Sequence, residues 1–218
     1  MENIWQLFKS GGIVMFPLLG LSIYSLAIIL ERSLFWFKIS RQQNQVVKQL
    51  LNLYQDDPSA ANIMLKRHLE LPIARIFSIA LSLERSTPQK FKLALESAAQ
   101  AEIPTLKRFN NSLETVIGVA PLLGLLGTVL GLITSLSSLT LGDIESSQAA
   151  GVTGGIGEAL TSTAAGLIVA IATLFFASIF RGLYLRQIAQ IQEVGGQLEL
   201  IHLDQHEQQR VTINHLNS

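Results

Sequence analysis

Three stretches of the chain stay apolar for longer than a soluble helix requires. Gly12 to Leu30 carries no charge and closes on Glu31-Arg32. Thr115 to Gly142 is uncharged throughout, with Val116 to Leu136 as its most apolar part, and Ala159 to Phe180 is uncharged up to Arg181. A helix needs about 20 mostly apolar residues to cross a bilayer core, so the pattern predicts transmembrane helices at 12–30, 115–138 and 158–180. Trp5 and Phe8 precede the first stretch and Phe35, Trp36 and Phe37 follow it, the amphipathic belt expected at a membrane–water interface. A cleaved signal peptide fits residues 1–30 poorly. The apolar run is too long, no small-residue cleavage site follows, and the charge bias is inverted.

Between the spans the pattern changes to a helical period broken by turn signals. Gln42 to Tyr54 places apolar residues at helical spacing. Asp57-Pro58 reads as an N-cap followed by proline at the first helical position, launching Ser59 to Leu83. Leu71-Pro72 should kink or break that segment, because proline disfavours helical backbone in the residue before it. Thr87-Pro88 repeats the cap and predicts a helix running unbroken into the second span. From Pro88 to Leu136 such a helix would be about 73 Å long at 1.5 Å per residue, bent at Pro104 and Pro121. The third span should continue past Arg181 as a Gln-rich amphipathic helix toward Arg210. No strand-like alternation persists. The expected fold is an all-α membrane protein with three transmembrane helices, the N-terminus out and long helices extending into the cytoplasm. Its segments are an interfacial stretch at 1–11, a cytoplasmic helical domain at 31–114, a short periplasmic connection at 139–157 and a cytoplasmic C-terminal helix at 181–218.

Charge sets that orientation. Lys9 alone precedes the first span, twelve basic residues lie from Arg32 to Arg108, none from Leu139 to Glu158, and Arg181, Arg186 and Arg210 follow the third span. The positive-inside rule then places the long loop and the tail in the cytoplasm. Sixteen basic and sixteen acidic residues cancel, so nothing draws the chain to nucleic acid. Only 15% of residues are charged, against about 25% in soluble domains. With no cysteine, disulfides, thiolate metal sites and a cysteine nucleophile are excluded.

The second span carries Gly124, Gly127, Thr128, Gly131 and Ser135 at i, i+3, i+4, i+7 and i+11. They form one stripe of small residues, with leucines on the other faces. Such stripes let membrane helices approach closely, which ordinary packing of Gly124, Gly127 and Gly131 explains; packing does not require Thr128. Glu158 is the only ionisable residue within the second and third spans, and Thr161, Ser162 and Thr163 follow it. A carboxylate there costs several kcal/mol unless protonated, paired or hydrated. The plainer alternative is a first-turn carboxylate at the outer interface, favoured by the helix dipole. Counted along their helices, Thr128 and Thr163 both fall near mid-bilayer. A proton route needs groups that donate and accept, as hydroxyls do.

Ala120-Pro121, Gly124-Leu125-Leu126-Gly127-Thr128-Val129, Gly157-Glu158-Ala159-Leu160 and Thr163-Ala164-Ala165-Gly166-Leu167 resemble the two signature stretches of the MotA/TolQ/ExbB proton-channel family. The likeness is sharpest over residues 116–172, and three spans bring the chain nearer to ExbB and TolQ than to MotA. The resemblance implies a homopentamer around a pore lined by the second and third spans. It also implies two copies of an ExbD/TolR-like single-span partner in that pore, and a TonB-like protein driven across the periplasm of a bacterial inner membrane. By motif position it gives Thr128 and Thr163 as pore-lining threonines and Glu158 as the intramembrane glutamate. Pro121, Gly124, Gly127, Gly131 and Gly166 then serve helix packing. No cofactor or metal is implied. The chain has Gly154 and Ala172 where relatives often carry prolines, which puts the local kinks in question.

Three other readings compete: a TolQ-like stator for envelope integrity, a scaffold that does not conduct, and an intramembrane enzyme. The last lacks support, since no Ser/His, paired-carboxylate or metal-ligand arrangement lies within the spans. His202 and His206, at i and i+4 around Asp204, have a spacing that could bind metal but read as the solvated face of a polar helix. His68 and His215 carry no signal.

Overall fold

The computed structural model describes residues 11–83, 87–138 and 146–216. Trp5, Phe8, Lys9 and the first part of the expected periplasmic connection lie outside them. Among the described residues all regular structure is helical: α1 Met15–Asp56, α2 Pro58–Lys66, α3 Pro72–Leu81, α4 Pro88–Leu106, α5 Asn110–Ser137 and α6 Ser146–Leu216. Three stretches are long and apolar enough to cross a membrane, within Met15–Asp56, Pro88–Ser137 and Gly151–Gln208. They agree with the three apolar runs.

Helix boundaries follow local chemistry. The Asp57 carboxylate accepts from the backbone N–H groups of Ser59 and Ala60 at 2.9 and 3.1 Å, satisfying donors that a helix leaves free in its first turn. Thr87 does the same for Lys90 at 3.4 Å. The helix begun at Pro58 closes at Lys66, and Leu71, ahead of Pro72, is extended (ψ 131°) at the start of the next one. One expectation is overturned. The helix launched at Pro88 does not run unbroken into the second span: it ends at Leu106, and a new helix starts at Asn110. Pro104 is accommodated inside α4 and Pro121 inside α5. The break instead falls at Phe109, whose φ of 66° is left-handed, a conformation that costs a residue with a Cβ about 1–2 kcal/mol. The Arg32 guanidinium lies 5.6 Å from the Phe109 ring centroid, a cation–π contact that favours this placement of the ring. The last helix also begins earlier than the span it contains, at Ser146 rather than near Glu158, and runs without interruption through Gly154 and Ala172.

The chain divides into two compact units, residues 1–33 with 109–180 and residues 34–108 with 181–218. The first holds the spans. Val14, Leu18, Ala120 and Ala170 are buried at its centre, with Leu123, Leu130 and Val169 packed around them. Its outer surface is apolar: Leu122, Leu125, Val129, Leu132, Leu160, Ile168, Ile171 and Phe175 are all exposed, as suits contact with lipid or with other apolar helices.

In the second unit, α3 packs between α2 and α4. Leu71, Ile73, Ile76, Phe77 and Ala80 are fully enclosed. Arg75 joins α3 to α4 through paired bonds of 2.7 Å to both carboxylate oxygens of Glu102, and those bonds raise its pKa further. His202 departs from the solvated face expected of it. Its Nδ1 lies 2.8 Å from the Tyr54 hydroxyl, and its ring stacks on Phe91 at 4.4 Å. Burial pushes the Tyr54 phenol from 10.0 up to about 12, because the anion is poorly solvated there. With the folded value raised, Tyr54 contributes stability that is whole below pH 10 and lost as the pH climbs through 12. Thermal melts between pH 9 and 12 should show this alkaline loss in the wild type, and Tyr54→Phe should flatten it.

Candidate functional site

Helices α5 and α6 meet along two stripes of small residues. On α5 the stripe is Ala120, Gly124, Gly127, Gly131 and Ser135, and on α6 it is Gly155, Ala159, Ser162 and Gly166. The pairing is read from what a Cβ at each glycine would meet. At Gly166 it would lie 2.5 Å from the Ala120 carbonyl oxygen, and at Gly124 3.1 Å from the Thr163 Cα. At Gly127 it would fall on the Ser162 hydroxyl. At Gly131 it would lie 2.7 Å from the Gly155 carbonyl oxygen and 2.9 Å from the Ala159 nitrogen. The helices run antiparallel, with backbone against backbone along the whole seam, which only residues without bulk permit. Gly124, Gly127, Gly131 and Gly166 thus all sit in this interface, and Pro121 lies half-buried beside Ala120.

Three hydroxyls, those of Ser162, Thr163 and Ser135, bond across the same seam, while Thr128 bonds within its own helix. Ser162, fully buried, donates to the Ala159 carbonyl at 2.9 Å and reaches the Gly124 carbonyl at 3.4 Å. Thr163 donates to that Gly124 carbonyl at 3.2 Å. Thr128 donates to Leu125 on its own helix at 2.6 Å, and Ser135 crosses to the Val152 carbonyl at 3.1 Å. A hydroxyl in hydrocarbon must donate somewhere, and each of these does so to a backbone carbonyl. Every one keeps its oxygen lone pairs as acceptors.

Glu158 is half-buried. Its carboxyl sits against Gly12, just ahead of the first turn of α1, where a Cβ would collide with Oε1. Gly12 has φ 68°, a left-handed conformation suited to glycine, so both its backbone and its missing side chain admit the carboxyl. Thr163 and Glu158 thus lie on one helix but have different neighbours, Gly124 of α5 and Gly12 ahead of α1. Gly12, Gly155 and Ala159 were not singled out by sequence reasoning. The spacing of Gly155, Ala159, Ser162 and Gly166 at i, i+4, i+7 and i+11 could have revealed the second stripe; nothing local marks Gly12.

The model of the MotA/TolQ/ExbB proton channel family matches residues 68–193. Among curated proteins the chain is similar to the biopolymer transport protein ExbB-like 3 of Synechocystis, with 56% identity over 91% of this chain and 95% of that one. It is also similar to ExbB-like 1 of the same organism, with 41% identity over 89% of this chain and 77% of that one. An ExbB homolog of Methanothermobacter thermautotrophicus is 28% identical over 78% of this chain and 60% of its own length.

Proposed function

We propose a proton-conducting role for this chain, which belongs to the MotA/TolQ/ExbB proton channel family. It is a multi-pass protein of the inner membrane and acts there as the fixed, stator part of a channel driven by the proton motive force. The N-terminus faces the periplasm, and residues 34–108 and 181–218 face the cytoplasm with their basic residues. Copies assemble, as a pentamer by family likeness, with α5 and α6 toward a common axis, and a single-span ExbD/TolR-like partner occupies that axis. Its carboxylate supplies the second titrating group that the spans of this chain lack. Proton passage then moves the partner and, through it, a TonB-like protein that energises outer-membrane transport.

The observation that carries this reading is the seam itself. Thr163 and Ser162 are tied to one α5 carbonyl, and Glu158 lies one turn away on the same helix, so acid and hydroxyls are held on a rigid wall. Rigid placement suits groups that must keep fixed positions while a partner carboxylate loads and unloads. An ExbB-like rather than TolQ-like task is favoured by the two Synechocystis relatives, both of them named ExbB-like proteins.

Proton flux into vesicles containing the chain and its single-span partner tests the proposal. Wild type should conduct, and Glu158→Ala and Thr163→Ala should fall to the level of empty vesicles. Flux unchanged in both variants would defeat the assignment. Retained coupled transport with valine at both Thr128 and Thr163 would favour a scaffold that does not conduct.

A further inference from the structure

The second unit contains a cleft of roughly 260 Å³ between the parts of α1 and α6 that follow their spans. Trp36, Ser40, Gln43, Arg186, Gln187 and Gln190 line it. Its amides satisfy one another. Gln43 donates to Gln187 at 2.9 Å and to Gln190 at 2.8 Å, Gln187 returns a bond to Gln43 at 2.8 Å, and Gln190 donates to Asn44 at 3.2 Å. Two groups on the lining stand outside this network. Trp36 is 4% exposed, and its Nε1 is enclosed without a hydrogen-bond partner among the described residues. Arg186 makes no ion pair among the described residues.

Indole N–H and guanidinium are donors only, and no carboxylate among the described residues lines the cleft. A buried donor left unmade costs about 1–3 kcal/mol, which applies to the enclosed Trp36 Nε1. Arg186 is exposed and adds a positive charge to the lining, so the group that suits the cleft is an anionic acceptor. Its depth narrows the choice. Trp36 follows Leu30, and Arg186 follows Phe180, by about 9 Å of helix at 1.5 Å per residue. The headgroup layer extends several Å beyond each face of the hydrocarbon core, so both residues fall at the level of lipid phosphates. At about 30 Å³ per water, the volume suits a phosphate with a small polar substituent.

We propose that this cleft binds the headgroup phosphate of an anionic phospholipid, with Arg186 pairing to the phosphate oxygens and Trp36 Nε1 donating to one of them. The site rests on the spans lying in a bilayer and is independent of proton conduction. It would fasten the end of the first span to the continuation of the third through a lipid that both hold.

Native mass spectrometry on the purified, delipidated oligomer tests this, with phosphatidylglycerol, phosphatidylcholine or inorganic phosphate added back. Phosphatidylglycerol should bind at least about tenfold more tightly than phosphatidylcholine, because the quaternary ammonium of choline sits beside the same phosphate, cancels its net charge and repels the Arg186 guanidinium; tenfold corresponds to about 1.4 kcal/mol. Arg186→Gln should erase the preference, Trp36→Phe should weaken it while keeping the ring, and Arg181→Gln, outside the cleft, should leave it intact. Equal binding of the two lipids, or full preference in Arg186→Gln, overturns the proposal. Displacement of phosphatidylglycerol by millimolar inorganic phosphate overturns the lipid assignment in favour of a soluble anion.

Discussion

Gly166→Ala is expected to destabilise the membrane-spanning unit by about 1–3 kcal/mol, the cost of forcing one methyl into a closed packing. The added Cβ would lie 2.5 Å from the Ala120 carbonyl oxygen, 3.1 Å from the Gly124 Cα and 3.2 Å from the Gly124 nitrogen. All three are backbone atoms, so no side chain can swing away and α5 must move off α6. Helix propensity opposes this, since alanine is favoured over glycine by about 0.8–1 kcal/mol in a helix interior. Overpacking against backbone outweighs it. Gly20→Ala and Gly118→Ala separate the two effects, because a Cβ at either position meets nothing within 4 Å. Those variants should melt at or above the wild-type temperature in detergent, and Gly166→Ala well below it. If all three melt alike, the register of α5 on α6 is wrong, and with it the placement of Thr163 on the Gly124 carbonyl.

A larger loss is expected in the second unit. Phe77→Ala should cost about 3–5 kcal/mol, the range for emptying a buried aromatic site. Phe77, like Ile73, Ile76 and Ala80 of α3, is fully enclosed, and its ring edge approaches Gly195 of α6. Limited proteolysis should then cut within 58–106, while the apolar helices of the first unit stay protected. Phe77→Leu, which keeps most of the volume, should lose far less. Resistance of Phe77→Ala to proteolysis at the wild-type level would show that α3 is not the centre of this unit.

What the chain determined without help from tertiary structure is the part governed by solvent and by local backbone chemistry. Three uncharged runs define three helices able to cross a bilayer, because hydrocarbon admits no unpaired backbone groups over such a length. Asp57, Thr87 and Pro72 mark helix boundaries because capping oxygens and a missing N–H act within a few residues. The stripe from Gly124 to Ser135 was equally legible, since helical period alone puts its members on one face.

Only tertiary structure decided what those faces meet. That Gly166 opposes Ala120, and that Thr163 and Ser162 share the Gly124 carbonyl, depends on the register of one helix on another, which no local period specifies. Glu158 reaches Gly12 although well over a hundred residues separate them in the chain. The break at Phe109 escaped the sequence because its cause is not local. Pro104 and Pro121 looked like the weak points, yet each is absorbed within a helix. The turn falls instead on an ordinary phenylalanine, left-handed and with its ring against an arginine from a distant helix. His202, read as solvated, is claimed by Tyr54 and Phe91 for the same reason: contacts between remote segments outweigh the polarity of immediate neighbours.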